Sequence, residues 1–309
     1  MNFEIETARP YSFDENYFQN FYEDDRIIRF HRKDFFFILD KTGVERVMLP
    51  PEIRETFIKQ KLSYASFCPF KNGNTYGIIT NNKVYELSVD FSKVERCYTI
   101  QNEFKRETYT DGSTRALFPS VPGYSSISNR IPFAFINYGM MQEITFYSIL
   151  NLNPTDLTAR WELQTEAMLP YKLMRGIKGE MVFYLSLFQD KCYIVSPGTD
   201  IQYYTYPNYS LIAVDSTASS FEYQFKPEQK SFMKMLNETQ AVITPYDFQK
   251  TKQKTNNESI YDFTENEYIE FNISKEYNNC RIIGKTKNKL WLFVFTKNGQ
   301  KIINMDIVK

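Results

Sequence analysis

The segment LWLFVFTKNGQKIINMDI, residues 290–307, decides how this chain is expected to fold. An apolar run at 290–295 leads into Thr296-Lys297-Asn298-Gly299, and an amphipathic run follows at 300–307. Asn-Gly accepts the positive φ of a tight turn, so Asn-Gly between two such runs predicts a β-hairpin. The nearly continuous apolar run is typical of a strand buried on both faces.

The same strand–turn–strand pattern returns earlier in the chain. Residues 35–49 and 76–89 each combine an apolar run, a polar turn and an amphipathic run. In some units a further short strand precedes the hairpin, and the units begin near residues 26, 66, 129, 172 and 280. A period of about 40–50 residues with three or four strands per unit is typical of propellers. The pattern predicts an all-β protein.

On these repeats the sequence resembles the β-propeller superfamily, over roughly two thirds of its length. It has neither the Gly-His and Trp-Asp pairs of WD40 repeats nor the paired glycines of kelch repeats. The resemblance implies a single propeller-like domain over residues 1–309, with about six blades, or alternatively seven. Serial hairpins also build β-sandwiches and barrels, which remain the alternative folds.

Four segments depart from the hairpin pattern. Proline at a first-turn position and apolar residues three or four apart predict short helices at 51–58 and 227–236. Residues 101–130 and 249–259 are rich in polar residues and are expected to be irregular loops.

Composition narrows the class of protein. The 37 basic and 37 acidic residues balance, which argues against a nucleic-acid partner. The first residues lack a basic and an apolar signal region, and no apolar run reaches the roughly 20 residues of a membrane helix. The four cysteines are far apart and form no CxxC pair, as expected for free thiols in a reducing compartment. We therefore expect a cytoplasmic protein that does not bind membranes.

Few residues in this chain suggest catalysis. His31 is the single histidine and lies in a polar turn, so neither a histidine-based zinc site nor a catalytic triad is expected. No GxSxG, GxxxxGK[ST] or GxGxxG motif occurs, and no cofactor or metal is expected. Glu23, Asp24 and Asp25 form the densest acidic cluster. They would be the candidate acids of a glycosidase-like site, or alternatively a turn whose acids pair with Arg26 or Arg29.

The chain has 27 phenylalanines and 23 tyrosines. Its tyrosine clusters, such as residues 203–209, contain more rings than alternating core positions require. Most of these rings should lie in the core, and some of the clustered tyrosines should be exposed. Exposed tyrosine suits protein interfaces and sugar stacking. The candidate binding residues are Tyr109, Phe118, Tyr124, Tyr203, Tyr204, Tyr206 and Tyr209.

These observations favour a non-catalytic module that presents aromatic-rich loops to a protein partner. Usage rich in Lys, Asn, Ile, Phe and Tyr resembles that of an AT-rich bacterial genome, which suggests a bacterial immunity or adaptor protein. The alternative is a carbohydrate-active or carbohydrate-binding propeller that uses convergent carboxylates and exposed rings. The sequence does not identify the partner or the oligomeric state.

Overall fold

The structure of this chain is a computed structural model. The described residues are 3–7, 18–31, 35–60, 68–80, 82–102, 107–108, 114–115, 121–122, 124–125, 127–138, 143–169, 184–188, 191–195, 201–205, 210–212, 231–237, 239–245, 258–262, 265, 267–269, 271, 280–296 and 299–307.

Strands dominate these residues, and the elements are numbered in chain order. The first are β1 Phe3–Thr7, β2 Phe18–Tyr22, β3 Arg26–His31, β4 Phe35–Asp40, β5 Gly43–Met48, α1 Pro51–Gln60, β6 Cys68–Asn72, β7 Thr75–Ile79, β8 Lys83–Leu87 and β9 Val94–Ile100. Next come β10 Glu107–Thr108, β11 Thr114–Arg115, β12 Val121–Pro122, β13 Tyr124–Ser125, β14 Arg130–Tyr138, β15 Glu143–Asn153, β16 Thr158–Leu169, β17 Tyr184–Phe188, β18 Lys191–Val195, β19 Ile201–Thr205 and β20 Ser210–Ile212. The last are β21 Ser231–Met235, β22 Gln240–Pro245, β23 Ser259–Asp262, β24 Glu267–Ile269, β25 Cys280–Lys285, β26 Lys289–Thr296 and β27 Gly299–Asp306.

In the described part of the chain, 24 of these 27 strands form six successive antiparallel groups of four, and β10 and β11 form a separate pair. The groups are β2–β5, β6–β9, β12 with β14–β16, β17–β20, β21–β24, and β25–β27 completed by β1. A parallel pairing of β9 with β16 joins the second and third groups into one sheet of eight strands, and β13 adds in parallel to β17. Serial four-stranded meanders are the blades of a propeller, so the predicted all-β propeller fold is confirmed, and the described residues contain six such groups.

The strands fall into two compact units, one with β1–β5 and β21–β27 and the other with α1 and β6–β20. In the first unit, Trp291 is completely buried in a cluster that also contains Ile27 and Leu39 of the first sheet. A second cluster joins Ile260 of β23 to Leu292 of β26. Aliphatic side chains thus hold its sheets together.

The second unit has an aromatic core. The ring of Phe133 lies edge-on to Phe70 and to Trp161, with centroids 6.3 and 5.7 Å apart. Such offset ring pairs add to the free energy gained by burying aromatic surface.

The same unit contains the helix α1. It begins at Pro51, as predicted, and its Ile53 is buried.

The predicted helix at 227–236 is wrong for residues 231–236. Residues Ser231–Met235 form β21, which pairs antiparallel with β22. The side-chain oxygen of Asn237 accepts hydrogen bonds from the backbone N–H groups of Thr239 and Gln240 and so closes the turn between the two strands. The neighbouring strand satisfies this backbone, and that pairing overrides the helical spacing of the apolar residues.

Other sequence-based expectations fall partly outside the described residues. Short strands β10–β13 interrupt the segment predicted as an irregular loop at 101–130, and residues 249–257 are not described. Cys68, Cys97 and Cys280 are free thiols, as predicted. The single-domain assignment over 1–309 stays a prediction. Among the residues that the structure describes, no helix has the length and apolar character needed to cross a membrane.

Candidate functional site

The predicted aromatic binding residues lie at the limits of the described structure. Tyr124 belongs to β13, and Tyr203 and Tyr204 are neighbours in β19. The side chains of these three residues lie outside the described part, as do the whole of Tyr109, Phe118, Tyr206 and Tyr209. All seven therefore stay predictions.

The acidic cluster lies in the turn between β2 and β3 and touches the last sheet. The carboxylate of Asp24 accepts hydrogen bonds from the hydroxyl of Thr286 and from Asn288 Nδ2, the latter at 2.7 Å. The backbone carbonyl of Asp24 accepts a third, from Asn304 Nδ2 at 2.8 Å. The turn is therefore a polar link between the first and last sheets.

Two further contacts define the chemistry of this turn. The carbonyl of Glu23 accepts a hydrogen bond from the indole Nε1 of Trp291 at 2.7 Å, and its carboxylate pairs with Arg26 at 2.6 Å, as the turn interpretation expected. The hydrogen bond from Thr286 is the main cause that lowers the pKa of Asp24, against an opposing contribution from burial. Asp24 is therefore a carboxylate acceptor at neutral pH, whereas a general acid of a glycosidase needs a raised pKa.

A second polar cluster, at the end of β23, was not foreseen from the sequence. Asp262 is buried, and its Oδ2 accepts hydrogen bonds from Thr239 Oγ1 at 3.1 Å and Gln240 Nε2 at 3.0 Å. Its Oδ1 accepts one from the backbone N–H of Glu265 at 3.2 Å. Half-buried Lys285 has a lowered pKa because of burial, which the charge of Asp262 partly opposes. These bonds make Asp262 a structural acceptor that fixes two turns.

The side chains of greatest interest for binding lie on one face of β4 and β5. Directly opposite residues in antiparallel strands point to the same face, and here Phe35 pairs with Met48 and Phe37 with Arg46. Val44 lies on this face as well, opposite Leu39, which is buried in the cluster with Trp291. We call these five residues the β5 surface. Val44 and Met48 are 38% and 40% exposed, and the two phenylalanines are half-buried.

Ring contacts organise the β5 surface. The rings of Phe35 and Phe37 meet edge to face with centroids 5.4 Å apart. The guanidinium carbon of Arg46 lies 4.1 Å from the centre of the Phe35 ring, within the range of a cation–π interaction. Among the residues that the structure describes, the Arg46 guanidinium has no carboxylate partner. The surface therefore combines partly exposed apolar area with an available positive charge.

Sequence reasoning missed the β5 surface for an identifiable reason. The apolar run at 35–39 predicts a buried middle strand, and Phe36 and Leu39 are indeed buried. The neighbouring positions are covered less because β5 is the outermost strand of its sheet. The alternation of Val44, Arg46 and Met48 is the available signal, but it does not show that the last sheet covers this face at Leu39 and leaves it exposed along β5.

Comparisons with known proteins give structural likeness only. No protein-family model matches the sequence, and none of the curated proteins is similar to it. Among solved structures, the CNH domain of AfRom2 is similar with a TM-score of 0.41 and 8% identity, covering 95% of each chain. The WD40 domain of Neurospora crassa Pan2 has a TM-score of 0.38 and 6% identity, covering 95% of this chain and 91% of that one. Kluyveromyces lactis Hsv2 has a TM-score of 0.33 and 9% identity, covering 90% and 76%. The function of this chain must therefore be inferred from its own residues.

Proposed function

We propose that this protein is a non-catalytic protein-binding module and that the β5 surface forms part of its interface. The observation that carries the proposal is the exposure of Val44 and Met48 beside a stacked arginine and two half-buried phenylalanines. Aromatic residues, methionine and arginine are enriched at protein interfaces, whereas lysine and glutamate are depleted. Tyr, Trp and Arg dominate measured binding energies, most often beside apolar neighbours that exclude water.

The test is a pull-down with the tagged full chain from its native lysate, washed at low and at high salt. We expect one stoichiometric partner that survives high salt, since apolar contacts are not screened. Met48→Glu places a charge in the apolar part of the β5 surface and should abolish capture. Arg160→Glu, at an exposed position of β16, is the matched control and should retain it. No partner at either salt, or equal capture by both variants, would contradict the proposal.

The finer parts of the proposal come from the sequence. We propose a cytoplasmic protein of bacterial origin, an immunity or adaptor protein, with a protein partner rather than nucleic acid or membrane. Its aromatic loops would add Tyr109, Phe118 and Tyr124, and its β19 region Tyr203, Tyr204, Tyr206 and Tyr209. Replacing Tyr206 and Tyr209 together by serine tests the second group, and unchanged capture of the partner would remove it from the interface. A carbohydrate ligand remains the alternative prediction, to be tested on a glycan array.

A further inference from the structure

The outer strand β5 is unusually regular for an exposed edge. It is the last strand in the order β2-β3-β4-β5, and no strand of the described residues pairs with its outer side. Six consecutive residue pairs, from Phe35 with Met48 to Asp40 with Gly43, join it to β4 without a register shift. A straight edge of this kind presents a row of unpaired backbone N–H and C=O groups.

Within the described part of the chain, two other final strands of four-stranded groups, β9 and β24, carry protections against edge pairing. The pairing of β8 with β9 shifts register between Glu86 and Leu87, and the end of β9 is covered by β16. Strand β24 has three residues and begins with exposed Glu267. Bulges, short length and charge are the usual devices that keep a sheet edge from pairing with another chain. Strand β5 has exposed charges at Glu45 and Arg46, but it is six residues long, has no register shift and no proline, and also exposes Val44 and Met48.

We propose that β5 binds an extended segment of the partner protein, which adds to the first sheet as a fifth strand. This proposal rests on the proposed function and specifies its mode of binding. Backbone hydrogen bonds to the free edge supply affinity, and side chains at alternate positions supply selectivity. The segment carries apolar residues opposite Val44 and Met48 and a carboxylate opposite Arg46.

Charge complementarity selects the acidic residue in this segment. Arg46 stands between Val44 and Met48 on the same face, so a bound strand with the pattern apolar–x–acidic–x–apolar matches all three. Lys41, exposed in the turn before β5, adds a second positive charge nearby. Glu45 points to the opposite face and does not oppose the carboxylate, because successive side chains alternate.

The test uses two synthetic fluorescein-labelled peptides, TVTETVT and TVTKTVT, which differ only in the central charge. Because each pattern is symmetric about its centre, the same residues meet β5 in parallel or antiparallel orientation. Fluorescence anisotropy should show that wild-type protein binds the glutamate peptide about fivefold more tightly than the lysine peptide. Arg46→Glu should reverse this preference, whereas Arg160→Glu should leave it unchanged. Hydrogen exchange should slow with the glutamate peptide at those amides of residues 43–48 that point away from β4.

A third peptide separates strand addition from side-chain contact alone. TVTETVT methylated at alternate backbone nitrogens keeps its side chains but loses one row of donors, so it should not bind. Equal binding of the methylated peptide, no binding of either parent peptide, or an unchanged preference in Arg46→Glu overturns the proposal. Light scattering that shows a wild-type dimer, lost in Arg46→Glu, overturns it in favour of a second copy of this chain. If the peptides fail while Met48→Glu still abolishes partner capture, strand addition is wrong and the binding module stands.

Discussion

Replacing Gly284 by alanine should destabilise the fold at the contact between the first and last sheets. A Cβ atom at this position would lie 2.3, 2.4 and 2.5 Å from three carbons of the Tyr22 ring. The ring cannot retreat freely, because it lies 6.4 Å from the ring of Trp291, which is completely buried. Trp291 is fixed in turn by its hydrogen bond to the carbonyl of Glu23.

The expected cost follows from overpacking. An extra carbon in a filled site costs roughly 1–3 kcal/mol, and contacts this short fall at the upper end of that range. Replacing a strand glycine by alanine also offsets about 0.5–1 kcal/mol of this cost, because glycine loses more backbone entropy on folding than alanine does. We therefore expect the free energy of unfolding to fall by about 2 kcal/mol.

Urea denaturation followed by tryptophan fluorescence measures this change. The control is a double-mutant cycle with Tyr22→Ala, since the alanine at 284 should cost almost nothing once the ring is gone. An unchanged free energy of unfolding in Gly284→Ala would refute the reasoning. So would a cost that stays the same in the Tyr22→Ala background.

Three further predictions concern the hydrogen bonds of Asp24, the packing around Gly77 and the reactivity of Cys280. Asp24→Asn should lower the free energy of unfolding by about 1 kcal/mol at pH 7. Because the folded pKa of Asp24 is below its usual value of 3.8, the stabilisation by its carboxylate is fully present above the unfolded pKa. In acid denaturation curves, the difference between wild type and Asp24→Asn should vanish as the pH falls through the folded pKa. Gly77→Ala places a Cβ 2.3 Å from the Phe70 ring and 2.6 Å from a backbone carbonyl oxygen. Urea denaturation should therefore show that the free energy of unfolding falls by about 3 kcal/mol. The control Gly73→Ala should cost about 1 kcal/mol, because the space there is open and only the positive φ of 58° is unfavourable for alanine. Burial raises the pKa of the Cys280 thiol to about 11, so mass spectrometry should show its iodoacetamide labelling at pH 8 to be about a hundredfold slower in the folded protein than in urea.

The hairpins were predictable because their signals are local. The turns at 40–43 and 296–299 join runs whose patterns fix strand length and register, and the structure shows hairpins at both. Helix α1 was also predictable from Pro51. The segment at 231–236 was not, because apolar residues spaced three or four apart fit a helix as well as a strand. Its state depends on pairing with β22.

The candidate site was less predictable because its properties depend on distant residues. The density of acids at 23–25 is visible in the sequence, but the hydrogen bond from Thr286 to Asp24 spans 262 residues. The exposed face of β5 likewise depends on where the neighbouring sheet ends. A local pattern gives the alternation of side chains, and the tertiary arrangement decides which of them solvent reaches.

The pairing of β1 with β27 sets an order of events during protein synthesis. Phe3 pairs with Asn304, about 300 residues later, so β1 leaves the ribosome long before its partner strand exists. The edge of β1 therefore stays open while the intervening sheets form, and the last sheet closes only when the final hairpin has been made. Bringing together ends so far apart carries a large loop-closure entropy unless the intervening chain is already compact. The slowest step of assembly should therefore be the docking of the first strand.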